Sequence, residues 1–135
     1  MSLFNVFDIS GSALRAQTIR LNTTAGNMAN TDSISSSTGS TYRARQPVFA
    51  SQLDAAGEAM GGVEVLGIVE SQAPLRREYR PEHPLADQDG YVNLPNVNPV
   101  EEMADMISAS RSYQSNVEVF NTSKQMLMRT LSLGD

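Results

Sequence analysis

Residues 98–133, NPVEEMADMISASRSYQSNVEVFNTSKQMLMRTLSL, decide the architecture of this chain. Asn98 suits an N-cap, Pro99 suits the first helical position, and Glu101 sits where a capping-box carboxylate reaches back. Apolar side chains then recur at heptad spacing: Met103, Met106, Tyr113, Val117, Phe120, Leu127 and Leu131. Ser110 and Lys124 are the weak positions of that register, while Ile107 and Met128 widen the stripe. No Gly or Pro interrupts Val100 to Leu133, and Gly134 follows as a stop. The reading is one helix, about 50 Å long at roughly 1.5 Å per residue. A seam of that length needs a partner helix along all of it, from this chain or from others.

A second helical pattern occupies residues 2–30. Leu14, Leu21 and Met28 fall seven apart, Phe7 and Leu3 extend the stripe backwards, and Ala13, Ala16 and Ala29 add helix propensity. Gly11 and Gly26 lower it. This stripe is expected to pair with the C-terminal seam. The plainer alternative is an ordinary packed helix of a small globular domain.

Between the helices the grammar changes. Residues 31–41, TDSISSSTGST, are nearly all Ser and Thr, and such a stretch cannot bury enough apolar surface to fold alone. It reads as a loop, mobile unless a neighbour holds it. Over 42–98, Pro47, Pro74, Pro81, Pro84 and Pro95 exclude long helices. Val48, Phe49 and Leu53 form a short apolar run, Gly61-Gly62 breaks the chain, and VEVLGIVE (63–70) alternates as a strand does. Leu75–Tyr79 is the expected partner strand, across the turn residues Gln72-Ala73-Pro74. Asp89-Gly90 signals a turn before Tyr91-Val92-Asn93-Leu94. The expected organisation is mainly α: a terminal helical coiled-coil domain from 1–30 and 99–135, a loop at 31–41, and a small β-hairpin or sheet module at 42–98.

Composition narrows the function. The net charge of −5 argues against nucleic acid as a partner. No apolar run reaches transmembrane length, and the start, MSLFNVFD, lacks the basic and apolar regions of an ordinary secretory signal. Cysteine is absent and His83 is the single histidine, so thiolate and His-cluster metal sites are excluded and no cofactor is expected. A protein without cysteine suits the cytosol, and equally suits export unfolded into an oxidising compartment.

Individual motifs give little chemistry. Asp87-Gln88-Asp89-Gly90 resembles a fragment of a calcium loop, but the remaining oxygen ligands are missing and a turn is the better reading. His83 has no nucleophile or orienting partner placed near it. Arg76, Arg77 and Arg80 make a basic patch that either meets an acidic partner or is a solvated face beside Glu78 and Glu82. The order of Glu101, Glu102 and Asp105 before Arg111, Lys124 and Arg129 complements the helix dipole. Met103, Met106, Met126 and Met128 suit surfaces that pack against varied neighbours, or ordinary core filling.

The two ends carry a family signature. SGSALRAQTIRLNTTAGNMANTDS (10–33) contains Ser10-Gly11, Ala16-Gln17, Leu21-Asn22 and Asn27-x-Ala29-Asn30. SASRSYQSNVEVFNTSKQMLMRTLSLGD (108–135) places Arg111, Tyr113, Gln114, Asn116, Glu118, Asn121, Thr122 and Lys124 in a matching C-terminal pattern. Both resemble the bacterial flagellar rod, hook and hook-associated proteins. YRARQPVF (42–49), GGVEVLGIVESQAP (61–74) and HPLADQDGYVNLPNV (83–97), with the short overall length, resemble the proximal-rod members of that family.

The resemblance implies a structural subunit and no enzyme. Its terminal helices would form the innermost layer of a helical rod, with the middle module outside. Its partners would be copies of itself, other proximal and distal rod proteins, the rod base at the inner-membrane ring and, in transit, the flagellar type III export apparatus. Its place would be the basal-body rod on the periplasmic side. The stripe residues Leu14, Leu21, Met28, Met103, Met106, Ile107, Tyr113, Val117, Phe120, Leu127 and Leu131 would then serve packing and assembly. The motif residues Asn22, Asn27, Asn30, Arg111, Asn116 and Asn121 are the polar part of the signature. Its asparagines either fix helix register through hydrogen bonds or lie on the helix surface. A sibling subunit at another rod level, and a soluble helical adaptor sharing the heptads, are the competing readings.

Overall fold

The computed structural model describes residues 2–35 and 39–134. Six elements follow in order: α1 (Leu3–Ala29), β1 (Arg45–Leu53), β2 (Ala59–Glu70), β3 (Arg76–Tyr79), β4 (Tyr91–Leu94) and α2 (Pro99–Leu133). The two long helices at the ends and the small antiparallel β region between them are the architecture expected from the sequence. Residues 36–38 of the Ser/Thr loop, Met1 and Asp135 lie outside the described residues.

The helix starts follow from side-chain capping. Ser2 accepts the Asn5 N–H at the start of α1, and Asn98 accepts the Val100 N–H at the start of α2, with Pro99 beside it. Glu101 lies exposed in the first turn of α2, where it complements the helix dipole. The helices run antiparallel: Phe7 meets the Phe120 ring edge-on at 5.0 Å, Arg20 pairs with Asp105, and Asn27 reaches Glu102. With Phe7 opposite Phe120, the start of α1 falls opposite about residue 124, at equal rise in both helices. The last nine or so residues of α2, roughly 14 Å of helix, therefore run past the start of α1, and among them only Leu127, whose side chain tilts back toward the helix N-terminus, is half-buried.

The strand pairing differs from the sequence expectation. The partner of β2 is β1, antiparallel with Arg45 opposite Glu70, and Arg76–Tyr79 pairs instead with β4, Arg76 opposite Leu94. The reason is local. Asp54 accepts the backbone N–H groups of Ala56 and Glu58, and Gly57 takes a left-handed φ of 80°, which closes a short hairpin between β1 and β2. Gly61-Gly62 does not break the chain; it lies inside β2 where that strand crosses α1. A Cβ at Gly62 would stand 3.2 Å from the Ser12 hydroxyl, and Val63 N–H donates to the same hydroxyl.

The second turn follows the sequence reading. Asp87 accepts the Asp89 and Tyr91 N–H groups and the Arg77 guanidinium, and these bonds, the Tyr91 amide foremost, hold its carboxyl below the usual carboxylate range. Gly90 has φ 83°, and a Cβ there would lie 2.8 Å from the Tyr79 ring and 3.1 Å from Pro81. Gly90→Ala should therefore lower the thermal unfolding midpoint of the purified chain, with a loss of about 1–3 kcal/mol from left-handed strain and crowding. An unchanged midpoint would show that this turn is not constrained as described.

The small core lies where the β modules meet the joined ends of the helices. Val92, Leu94, Pro95 and Val97 are buried there with Ala44. Asn96 accepts the Ala44 N–H and donates to the carbonyls of Ser71 and Ala73; Arg43 donates to the same two carbonyls. Arg76 donates to the carbonyls of Pro95 and Thr31. Ser35 pairs with Asn93, so the described part of the Ser/Thr loop is held by the chain's own sheet.

Candidate assembly site

Asn27 is the polar centre of the molecule. Its side chain is 1 % exposed and all four of its hydrogen-bonding positions are used. Oδ1 accepts the Tyr42 hydroxyl at 2.8 Å and the Arg45 N–H at 2.9 Å. Nδ2 donates to the Arg45 carbonyl at 2.8 Å and to Glu102 Oε1 at 3.1 Å. One amide thus ties the end of α1 to the start of the hairpin and to the first turn of α2. Burial raises the Tyr42 hydroxyl above its ordinary range, so it remains a donor.

Glu102 is buried, and that burial lifts its carboxyl above the ordinary carboxylate range. The Asn27 hydrogen bond opposes the lift, and the charges of Asp105 and Glu101 add to it. A raised folded-state value means that the folded chain holds this proton more tightly than the unfolded chain. Its stability contribution is greatest in acid and declines as pH rises from the ordinary carboxylate value through the raised one. Glu102→Gln keeps the oxygen that accepts from Asn27 and removes the charge. It should raise the unfolding midpoint at neutral pH, and the gain should shrink in acid. A gain that is constant with pH would rule out the buried charge as its cause.

The α2 stripe divides into two faces. The face toward α1 comprises Glu102, Met106, Ala109, Tyr113, Asn116, Phe120, Ser123 and Leu127, at alternating spacings of four and three. Ala109 and Ser123 are buried, and Met106, Asn116, Phe120 and Leu127 are half-buried. Of the stripe read from the sequence, Met106, Tyr113, Phe120 and Leu127 belong to this face, with Tyr113 at its edge. Val117 is half-buried on the flank. Met103 and Ile107 point away, at 51 % and 56 % exposure, and so does Val100, whereas Met128, Leu131 and Leu133 are exposed on the end of α2 that runs past the start of α1. On α1, Leu14, Leu21 and Met28 are all half-buried.

Small residues explain the division. Ala109 and Ser123 let the α1 backbone come close, as do Ser10 and Ala16 of α1 on its own buried faces.

The motif asparagines have separate roles. Asn27 alone bridges the two helices. Asn30 closes α1, donating to the Gly26 carbonyl and accepting the Ser33 hydroxyl. Asn116 donates to the Ser112 carbonyl of its own helix. Asn22, Asn121 and Arg111 are exposed. Glu102, Tyr42, Arg45 and Asn96 were not legible as contact residues. Tyr42, Arg45 and Asn96 did stand in motifs, and Glu102 stood only among the acidic residues at the start of the last helix, where it complemented the dipole. Among the described residues no group of acidic or histidine side chains is placed to hold a metal ion. The arginine patch is internally matched, with Arg77 on Asp87 and Arg80 on Glu78. His83 is half-buried and accepts the Leu85 N–H at 3.1 Å.

The fold is thus an antiparallel pair of terminal helices with a small β region between them and apolar side chains of α2 left uncovered, the architecture of a subunit class that is identified by its sequence relatives. Residues 88–133 match the family described as flagellar basal body rod FlgEFG protein C-terminal. The chain is 56 % identical to the flagellar basal-body rod protein FlgC of Salmonella typhimurium over 135 residues, 99 % of each chain. It is 53 % identical to that of Yersinia enterocolitica over 134 residues, again 99 % of each. It is 41 % identical to that of Buchnera aphidicola from Baizongia pistaciae over 137 residues, 99 % of each. The chain belongs to the FlgC family of flagellar basal-body rod proteins, and is a structural component of that rod, assembled with other rod proteins.

Proposed function

We propose that this chain is a subunit of the proximal rod. It assembles helically with copies of itself and with other proximal and distal rod proteins, encloses the export channel, and transmits torque as part of the periplasmic drive shaft. It joins the rod base at the inner-membrane ring and passes through the type III export apparatus on its way. It catalyses no reaction and needs no cofactor.

The observation that carries the reading is the outer face of α2. After α1 has packed, Val100, Met103, Ile107, Met128, Leu131 and Leu133 remain more than half exposed along one helix. They form two exposed apolar groups, one at the start of α2 and one at its end; such groups mark interaction sites, and a contact repeated without closing generates a helical tube. Ordering long terminal helices costs conformational entropy, so their full stability is gained on docking. In the isolated chain, amide protection over 2–30 and 99–133 should be weak.

The test is deletion of this chain followed by electron microscopy of purified basal bodies. Membrane rings without rod or hook, restored when the chain is resupplied, are the expected result. Complete rods and hooks in the deletion strain would overturn the reading and favour a helical adaptor.

A further inference from the structure

The β1–β2 hairpin is the second surface left uncovered. Leu53, Met60, Leu66, Ile68 and Val69 are each more than half exposed, on a two-stranded unit that is marginal by itself. It touches α1 through Ser12 and Asn27 but makes no packing contact with α2. Its charge is lopsided: Arg45 stands against Asp54, Glu58, Glu64 and Glu70. The projecting end of α2 has the same apolar character, with Met126, Met128, Leu131 and Leu133 exposed. Its charge is opposite. Over Met106–Leu133, Arg111, Lys124 and Arg129 stand against Glu118 alone.

We propose that the hairpin of one copy docks on the projecting end of α2, Lys124–Leu133, of a neighbouring copy. This rests on the rod-subunit reading and names the partner surface within it. Within one chain the two surfaces do not meet: among the described residues neither strand of the hairpin contacts α2. Between chains the contact is heterologous: hairpin to helix end, then hairpin to the next helix end. Such a contact propagates along an assembly instead of closing into a dimer. It buries both apolar surfaces and sets Glu58 and Glu64 near Lys124 and Arg129, pairs that steer the register of docking.

Two reversed chains test this: Glu58→Lys with Glu64→Lys, and Lys124→Glu with Arg129→Glu. All four positions are exposed and have no ion pair among the described residues. Each chain is expressed as the sole copy in the deletion strain, and the two are then expressed together. Like charges brought together across an interface repel and oppose docking, so each alone should shrink the swimming halo by about threefold or more. Together they should restore it, because a reversed hairpin on one copy meets a reversed helix end on the other. That rescue cannot arise from a contact within one chain. Normal swimming with either chain alone, or a mixture no better than its parts, would overturn the docking. If the deletion strain itself keeps its rods, the rod-subunit reading fails first, and the two failures are thereby told apart.

Discussion

Asn27→Leu should abolish swimming. Leucine is close to asparagine in size and fills the site, so the loss is one of hydrogen bonding and not of packing. It strips partners from the Arg45 N–H and carbonyl, the Tyr42 hydroxyl and Glu102 Oε1 together. A buried polar group left without a partner costs ~1–3 kcal/mol, more when it is charged. Even if only two of the four groups stay dry, the loss is about 2–6 kcal/mol. A helix pair that gains its full stability on docking has no such margin to lose. The purified chain should show reduced helical circular dichroism, and basal bodies from the variant strain should lack rods. Asn22→Leu is the control. Asn22 is exposed on the same helix, and its replacement should change stability by no more than about 0.5 kcal/mol. Equal behaviour of the two variants would remove Asn27 from the centre of the fold.

The second large effect separates the part of α2 that α1 covers from the end that runs past it. Leu127 is half-buried toward α1, whereas Leu131 is 64 % exposed. Leu127→Asp should destabilise the chain and block assembly, because it sets a carboxylate into the helix pair. Leu131→Asp should leave the unfolding midpoint of the purified chain within about 0.5 kcal/mol of the parent and still abolish swimming, since the carboxylate becomes buried only when neighbours dock. Val117→Asp, on the flank, should block assembly with a smaller cost to the chain alone. Swimming by the Leu131 variant would mean that the end of α2 stays in solvent in the finished rod.

These expectations depend on a distinction that periodicity does not make. Heptad spacing in α2 fits two neighbouring registers. One runs through Met103, Val117 and Leu131, the other through Glu102, Ala109, Asn116 and Ser123, and both share Met106, Tyr113, Phe120 and Leu127. Hydrophobicity favours the first, and for a subunit that buries its outer face against neighbours both are needed. The resemblance at the two ends identified the family correctly, yet it could not say which side of the helix α1 takes.

By itself the sequence determined what depends on neighbours along the chain. The extents of α1 and α2, the Asn98 cap with Pro99, the Asp89-Gly90 turn and the exclusion of long helices between Pro47 and Pro95 are all local matters of dihedral preference and hydrogen bonding. Tertiary structure decided what depends on contacts between distant segments. It chose β1 over Arg76–Tyr79 as the partner of β2. It turned Gly61-Gly62 from an apparent break into a crossing point over Ser12. It also buried Glu102 beneath Asn27. A strand edge or a carboxylate near a helix start has several satisfactory local partners. Only the packing of α1 against both the hairpin and α2 leaves a single arrangement in which every bond of Asn27 is made.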